Sequence, residues 1–169
     1  MRAAAILGRL GDFMKKDQIR CRGEALAGVL DDAIALAQLG PSAKDLKIEV
    51  RIADDAQAAL VDRIQIQQVL MNLIRNAAQA TEGQAARSML ISARRLDAAV
   101  IAVEVSDNGP GLADDVLARA FEPFHTTKPD GMGIGLSLCR SIVRSHGGDM
   151  FAGNSDEGGA VFLFTLLTT

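Results

Sequence analysis

The stretch Asp62–Thr81, DRIQIQQVLMNLIRNAAQAT, decides how the rest of the chain is interpreted. Apolar residues recur along it every three or four positions, which predicts one long amphipathic helix with a buried stripe. The members of this stripe are Ile66, Val69, Leu70, Leu73, Ile74 and Ala77. A second stripe, about a third of a turn away, consists only of amides. Its members are Gln65, Gln68, Asn72, Asn76 and Gln79.

The amide stripe has two interpretations. One is a solvated polar face, although such faces are usually built from Lys and Glu rather than from amides alone. The other is a binding site, because Asn72 and Asn76 lie one helical turn apart and can present their side-chain oxygens to a single ion. Neutral oxygen ligands suit Mg²⁺, so the stripe is also a candidate metal site.

Length and composition place the chain among ordinary globular proteins. Its 169 residues suffice for one domain and a short remainder. The apolar fraction is 49% and the charged fraction 23%, which excludes a disordered or fibrous protein. A net charge of −3 and six Phe, with neither Trp nor Tyr, offer nucleic acid little attraction and little stacking surface. We therefore expect no nucleic-acid partner.

Cysteine spacing and hydropathy bear on the cellular location. Cys21 and Cys139 are far apart and belong to no metal-binding motif, so they are interpreted as core thiols in a reducing compartment. A disulfide or a reactive thiol is the alternative. No apolar run reaches the ~18 residues of a membrane span, and Gly8 and Arg9 interrupt the N-terminal apolar segment. We expect a cytoplasmic segment that does not itself contact a membrane. It can equally be the cytoplasmic part of a protein that is anchored elsewhere in a membrane.

Hydrophobic periodicity predicts a mixture of helices and largely hairpin-connected strands. Besides residues 62–81, helices are predicted at 1–17, 24–38, 114–120 and 133–146. Strands are predicted at 46–52, 88–95, 99–106, 149–152 and 160–166. The fold class is therefore α+β, a two-layer α/β sandwich in which helices back a mixed sheet. The apolar spacing of the first helix, at 1–17, fits both a coiled-coil partner helix and a surface helix.

Two glycine-containing loops are candidates for ligand binding. In the first, Asp107-Asn108-Gly109-Pro110-Gly111-Leu112, a carboxylate ends an apolar strand. A carboxylate accepts hydrogen bonds and cannot donate them, so it suits the exocyclic amine of adenine and would repel the carbonyl of guanine. A plain tight turn is the alternative interpretation of this loop.

The second loop is Gly131-Met132-Gly133-Ile134-Gly135-Leu136-Ser137, which leads into a predicted helix. Glycines at a helix start expose N–H groups that can hold phosphate, and the helix dipole favours the negative charge. The spacing is not that of a dinucleotide-binding fingerprint, because position 136 is Leu and no strand precedes the loop. Neither is it a P-loop, since no Gly-Lys-Ser/Thr follows.

Taken in order, these motifs resemble the catalytic ATP-binding domain of sensor histidine kinases. That domain shares its nucleotide-binding fold with gyrase, the Hsp90 chaperone and the MutL repair protein. The matching segments are Gln68–Ala77 (N box), Asp107–Leu112 (G1 box), Phe121–Phe124 (F box), Gly131–Ser137 (G2 box) and the pair Gly158-Gly159. The match spans about residues 24–169 and looks most like the oxygen-sensing kinases of nitrogen fixation.

The resemblance implies the Bergerat ATP-binding fold for residues 21–169. It implies that residues 1–20 are a short helical stub, the truncated end of a dimerisation and phospho-acceptor helix. The segment between Gly111 and Gly133 would be a lid over ATP. Phe121 and Phe124 would anchor that lid or contact a partner domain, with core packing as the alternative.

The resemblance also implies roles for individual residues. Asn76 would be the Mg²⁺ ligand, Asn72 would support the metal and the phosphates, and Lys128 would contact phosphate, which makes these three the expected catalytic residues. Asp107 would bind the adenine amine. The other residues expected to bind the ATP cofactor are Gly109, Gly111, Gly131, Met132, Gly133, Ile134, Gly135, Leu136 and Thr165.

The histidines of this chain do not match the family's phospho-acceptor. That acceptor is a His followed directly by an acid, on a separate helical hairpin, whereas His125 and His146 have no acidic neighbour. His125 is interpreted as a lid residue and His146 as a helix C-terminal residue that would be favourable to the dipole if charged. We therefore expect the chain to bind Mg·ATP without phosphorylating itself. Expected partners are its own dimerisation domain, within a homodimeric full-length protein, and a response-regulator receiver domain.

Two alternative functions belong to the same superfamily, an ATP-hydrolysing clamp and a non-catalytic nucleotide-binding module. Hydrolysing relatives carry a Glu one turn before the metal-binding Asn, where it activates water. Asn72 occupies that position here, and an amide cannot act as a general base at neutral pH. This difference favours the kinase.

Overall fold

The computed structural model describes residues 20–125, 132–156 and 158–169. The predicted helix at 1–17 lies outside the described residues, and so do Lys128 and Gly131. Across the described residues, no helix has the length and hydropathy of a transmembrane segment.

The described residues form seven strands, four α-helices and a short 3-10 turn at Pro41–Ala43. The strands are β1 (Arg22–Ala25), β2 (Lys47–Ile52), β3 (Ala58–Val61), β4 (Ser88–Arg95), β5 (Val100–Asp107), β6 (Met150–Asn154) and β7 (Ala160–Leu167). The helices are α1 (Leu26–Gln38), α2 (Arg63–Ala80), α3 (Asp114–Ala118) and α4 (Gly135–Ser145). Every predicted element within the described residues is present, with boundaries that differ by one or two residues.

Five strands form one mixed sheet in the order β2-β4-β5-β7-β6. β2 and β4 are parallel, because the chain crosses over through β3 and α2 between them, and the other neighbours are antiparallel. α2 packs between α1 and α4. The α+β class and the mixed sheet predicted from the sequence are confirmed.

A two-stranded sheet of β1 and β3 was not predicted. Its strands pair antiparallel from Arg22 opposite Val61 to Ala25 opposite Ala58. The predicted helix at 24–38 therefore begins two residues later, at Leu26, whose N–H donates to the Gln57 carbonyl (2.9 Å). Strands of four residues are too short to display the alternation on which sequence-based prediction depends.

The start of α2 is held from two sides. The Asp62 side chain is its N-cap and accepts from the Ile64 N–H (3.1 Å) and the Gln65 N–H (3.3 Å). The next residue, Arg63, forms ion pairs with Glu24 of β1 (3.1 Å) and Asp32 of α1 (2.7 Å). α2 therefore has a defined axial position, which sets where its amide stripe lies.

The predicted apolar stripe of α2 is the centre of the core. Its six residues are at most 2% exposed. They face inward-pointing residues of the sheet, among which Phe164 of β7 and Ile91 of β4 are completely buried. The amide-bearing face of α2, about a third of a turn away, therefore faces α4 at Asn72.

Candidate functional site

Asp107, the last residue of β5, lies at one end of the candidate site and is 9% exposed. Its Oδ1 accepts hydrogen bonds from the Gly109 N–H (2.8 Å) and the Ala160 N–H (3.3 Å). Among the described residues, these are its only bonds to protein, and no buried side-chain oxygen there lacks a partner. Oδ2 is therefore accessible to a hydrogen-bond donor from outside the chain.

The environment of Asp107 is electrostatically unfavourable for a bare charge. Burial raises the pKa of this carboxyl above its usual value, and the two backbone hydrogen bonds partly offset the effect. A ligand that donates a hydrogen bond to Oδ2 would stabilise the ionised form. A ligand that donates a hydrogen bond to Asp107 would therefore offset part of the cost of burying its charge.

Glycines leave no side chain around Asp107. A Cβ on Gly109 would lie 2.8 Å from Asp107 Oδ1 and 3.2 Å from the Cβ of Ala80, at the end of α2. Gly159 has a φ of +89°, and a Cβ there would overlap the Asp107 carbonyl oxygen. The absence of a side chain at these two positions therefore lets the backbone pack directly against Asp107.

The loop that follows Asp107 is clamped to β6 by Asn154. The Asn154 Oδ1 accepts from the Leu112 N–H, and its Nδ2 donates to the Leu112 carbonyl, both at 2.8 Å. Gly111, the residue before Leu112, adopts a φ of +78°. A Cβ on Gly111 would lie only 2.9 Å from Asn154 Oδ1. Asn154 belongs to no motif in the sequence that links it to a loop 42 positions earlier, so its role is visible only in the fold.

Asn72 marks the other end of the site, where α2 meets the start of α4. A Cβ on Gly135 would lie 2.8 Å from Asn72 Nδ2 and 2.9 Å from Oδ1, so the helix start touches the amide directly. Asn72 also donates to the sulfur of Cys139, one turn further along α4 (3.2 Å). Asn76 follows Asn72 by one turn, and Ala80, beside Gly109, follows by two. The two ends of the site are thus about 12 Å apart along one helix face.

The start of α4 has features of an anion site. No side chain of the described residues caps it, so among those residues nothing competes with a ligand for the first-turn N–H groups, including that of Leu136. The residues just before it, Gly133 and Ile134, connect this turn to the F box, because the Phe124 N–H donates to the Gly133 carbonyl (2.8 Å). Met132 is 78% exposed.

A groove of about 420 Å³ continues from Asn72 between α2 and α1. It is lined by Leu36, Ile64, Gln67, Gln68, Met71, Asn72 and Arg75. Arg75 is exposed, so the groove places a cation beside the amide stripe. Arg75 was not among the predicted site residues, although its position between Asn72 and Asn76 in the sequence is a signal for a role there.

The two Phe of the F box have different environments. Phe121 packs against the core, and the Arg140 guanidinium carbon lies 4.8 Å from its ring centroid. Arg140 is in turn paired with Asp149 (3.0 Å). Phe124 is 67% exposed and has a φ of +65°. The core-packing alternative thus describes Phe121, and the exposed ring of Phe124 is free to meet another surface.

Thr165 is not brought to this group of residues. Its hydroxyl accepts from the Asp149 N–H (2.9 Å). It lies five residues beyond Ala160 on β7, which is about 16 Å from the Asp107 end.

His146 caps the C-terminus of α4, as predicted, and is 4% exposed. Its Nδ1 bonds the Ile142 carbonyl (2.8 Å), and its Nε2 accepts from the Asp62 N–H (3.0 Å). Because Nε2 accepts, the ring is the neutral tautomer with its proton on Nδ1. The imidazole thus links the end of α4 to the start of α2.

A family model described as "Histidine kinase-, DNA gyrase B-, and HSP90-like ATPase" matches residues 61–169. Sensor protein FixL of Bradyrhizobium diazoefficiens is 41% identical over 166 residues, which cover 98% of this chain and 33% of FixL. The chain thus spans about a third of the length of this curated relative.

Solved histidine kinases share the fold. ThkA in complex with the response regulator TrrA superposes with a TM-score of 0.78 at 25% identity, covering 99% of this chain and 48% of that one. Full-length ShkA in complex with AMPPNP gives 0.75 at 29% identity, covering 90% and 32%. The chain therefore belongs to the histidine kinase-, DNA gyrase B- and HSP90-like ATPase family, as an ATP-binding catalytic domain of the sensor histidine kinase type.

Proposed function

We propose that this domain binds Mg·ATP along the amide face of α2 and transfers the γ-phosphoryl group to a histidine on a separate dimerisation domain. The observation that carries the proposal is the continuity of that face. It runs from the accessible Asp107 Oδ2, past Ala80 and Asn76, to Asn72 and the uncapped start of α4. A nucleotide is the ligand class that needs an amine acceptor at one end and anion and cation sites at the other.

The base would bind at the Asp107 end. Adenine donates from its exocyclic amine and would supply the hydrogen bond that Oδ2 can accept, whereas guanine presents a carbonyl at that position. Gly109 and Gly159 would support this end by letting the backbone pack against Asp107 without a side chain in between. Gly111 would shape the same pocket through the loop that Asn154 clamps.

The donor chemistry of the amide face fits Mg²⁺. Within the described residues, no group of three His, Cys, Asp or Glu could hold a metal ion, so a thiolate- or imidazole-based site is not formed there. Mg²⁺ instead suits one or two protein oxygens, with waters and phosphate oxygens completing its coordination. Asn76 would supply such an oxygen, and Asn72 would support it. When bound, the metal supplies neutralisation of phosphate charge.

The phosphates would lie against the start of α4. The uncapped N–H groups after Gly133 and Gly135, including those of Ile134 and Leu136, would hold phosphate oxygens, assisted by the helix dipole. Met132 would line the same region. Lys128 and Gly131, outside the described residues, remain candidate phosphate contacts by family resemblance.

Transfer to a histidine is favoured over hydrolysis by the residue at position 72. An amide cannot remove a proton from water, so the expected nucleophile is an imidazole delivered by another domain. The groove that opens beyond Asn72, with exposed Ile64 and Arg75, offers a surface beside the γ-phosphate end. We propose that the partners are the protein's own dimerisation domain, in a cytoplasmic homodimer, and a response-regulator receiver domain.

Nucleotide titration of Asn76→Ala tests this function. Because the proposed metal ligand is lost, we expect affinity for a nonhydrolysable ATP analogue in Mg²⁺ to fall about tenfold or more, to the value measured in EDTA. Leu96→Ala, a truncation of a partly exposed residue in the hairpin between β4 and β5, is the control and should bind as the wild type does. An Asn76→Ala variant with full Mg²⁺-dependent affinity would contradict the metal role.

A second measurement concerns the acceptor. The chain alone, incubated with γ-labelled ATP, should remain unlabelled, because the described His146 is buried and fully hydrogen-bonded. Acid-labile label retained on this chain would show that it carries its own acceptor.

A further inference from the structure

Cys139 contacts the nucleotide-binding face from beneath. It lies on α4, is 1% exposed, and receives a hydrogen bond from Asn72 Nδ2 at 3.2 Å. We propose that Cys139 is a positioning residue that fixes the side-chain amide of Asn72 with its oxygen turned toward the nucleotide. This inference rests on the function proposed above, since it concerns how Asn72 meets Mg·ATP.

The thiol can only accept from Asn72. Burial raises the pKa of Cys139 to about 12, so the sulfur keeps its proton at neutral pH. That proton is directed at the Val69 carbonyl oxygen on α2, 3.9 Å from the sulfur. With its single donor used there, the sulfur offers Asn72 only lone pairs.

An acceptor at this position selects one of the two orientations of the amide. Rotation by 180° exchanges the oxygen and the nitrogen of an Asn side chain, and the surrounding hydrogen bonds decide between them. Because Nδ2 is held by the sulfur, Oδ1 faces away from Cys139. Gly135 packs closely against the same amide, since a Cβ there would lie 2.8 Å from Nδ2 and 2.9 Å from Oδ1.

The orientation determines what Asn72 can bind. An amide oxygen attracts a cation or the water molecules around it and repels phosphate oxygens, whereas an NH₂ group does the reverse. With Oδ1 outward, Asn72 favours nucleotide that carries Mg²⁺ over nucleotide without it. Cys139 would thereby contribute to the metal dependence of binding without touching the ligand.

Two variants separate this role from packing. Cys139→Val has a similar volume but no acceptor, so the Asn72 amide is released. We expect its affinity for an ATP analogue in Mg²⁺ to fall about 3- to 10-fold, the loss of one hydrogen bond, with its affinity in EDTA unchanged. Cys139→Ser keeps an acceptor and should retain most of the Mg²⁺ dependence.

NMR of the nucleotide-free protein provides a readout that does not depend on binding. The side-chain NH₂ resonances of Asn72 are assigned by their loss in Asn72→Ala. They should move toward solvent-exposed values in Cys139→Val, while those of Gln65 and Gln68 on the same stripe stay in place. If Cys139→Val does not fold, Cys139→Ala replaces it, since it also removes the acceptor and must move the same resonances toward solvent-exposed values.

Three outcomes are decisive. Unchanged Asn72 resonances, or full Mg²⁺ dependence in Cys139→Val, would overturn the positioning role. The role would also be overturned if Cys139→Val reduced the affinity in Mg²⁺ by the same factor in the Asn72→Ala background as in the wild type. That loss would not pass through Asn72 and would come from packing. Failure of the proposed function looks different, since the wild-type chain would then bind nucleotide neither in Mg²⁺ nor in EDTA.

Discussion

The two ends of the nucleotide-binding face are built by different means. At the Asp107 end, the backbone forms most of the contacts. Two backbone N–H groups donate to Asp107, and the neighbours of the glycines leave no space for a Cβ. At the Asn72 end, side-chain amides and an uncapped helix start face an open groove with an exposed Arg75. The first end is therefore formed without a ligand, whereas we propose that the second is completed by the nucleotide and its Mg²⁺.

The two ends should therefore differ in how substitution affects nucleotide affinity and stability. A change at the Asp107 end should weaken every adenine nucleotide alike and often reduce stability, because the backbone itself is part of the site. A change at the Asn72 end should alter the preference for Mg²⁺ and for the γ-phosphate and leave folding almost intact. The predictions that follow test that division, beginning with the largest effect.

Gly159→Ala should be the most damaging substitution. A Cβ there overlaps the Asp107 carbonyl oxygen, and the φ of +89° adds strain. We expect a loss of about 3 kcal/mol or more in the free energy of unfolding, measured in urea, and no detectable nucleotide binding.

Gly158→Ala is the matched control for that substitution. Gly158 has a φ of +92°, but a Cβ there has no atom within 4 Å. The free energy of unfolding of Gly158→Ala should therefore fall only by the strain of the positive φ, about 1–2 kcal/mol, and the variant should keep its nucleotide affinity. Equal effects of the two substitutions would mean that the close approach to Asp107 does not matter.

Asp107→Asn should separate binding from stability. The amide loses the charged acceptor for adenine, so affinity for ATP and ADP should fall together, about 10- to 100-fold by calorimetry. The folded protein should be as stable as the wild type or more stable, because the buried charge is gone. A loss confined to ATP would place the base elsewhere.

The pH dependence of Asp107→Asn follows from the same burial. Since burial raises the pKa of Asp107 in the folded state, this carboxyl contributes stability at pH values below its unfolded pKa of about 3.9. That contribution is lost as the pH rises through the folded pKa. The stability of Asp107→Asn relative to the wild type should therefore increase as the pH rises from acidic to neutral values, and thermal melts across that range measure it.

Asn154→Ala should have the smallest of these effects. It removes two hydrogen bonds that hold Leu112, in a partly exposed loop. We expect a loss of about 1–2 kcal/mol in the free energy of unfolding and a few-fold weaker binding of ATP and ADP alike. A selective loss of ATP affinity would show that the loop serves the phosphate end instead.

Much of the fold could be predicted because its main elements are long and periodic. Buried residues recur along most of the length of α2, β4, β5 and β7. The apolar stripe predicted for α2 lies in the core. β1 and β3 escaped prediction because each has four residues and depends on the other for hydrogen bonds. Local pattern also carries no information on which strands pair in parallel, as β2 and β4 do.

The candidate site shows the same division. Asp107, Asn72 and the glycine loops belong to motifs whose chemistry is visible in the sequence. The Asn154 clamp and the contact of Cys139 with Asn72 join positions 42 and 67 residues apart, so only the folded chain brings them together. His146 was placed correctly at a helix end, but its neutral state depends on the Asp62 N–H from another helix.

The central claim is that one face of α2 joins a base site to a metal and phosphate site. Mn²⁺ replacing Mg²⁺ tests it most directly, because a paramagnetic ion broadens the NMR signals of nearby nuclei. With an ATP analogue bound, the signals of Asn72, Asn76 and Leu136 should broaden most strongly and those of Gly109 and Ala160 less, while that of Leu96, in the hairpin between β4 and β5, should stay sharp. Broadening centred away from α2, or equally strong without nucleotide, would contradict the account.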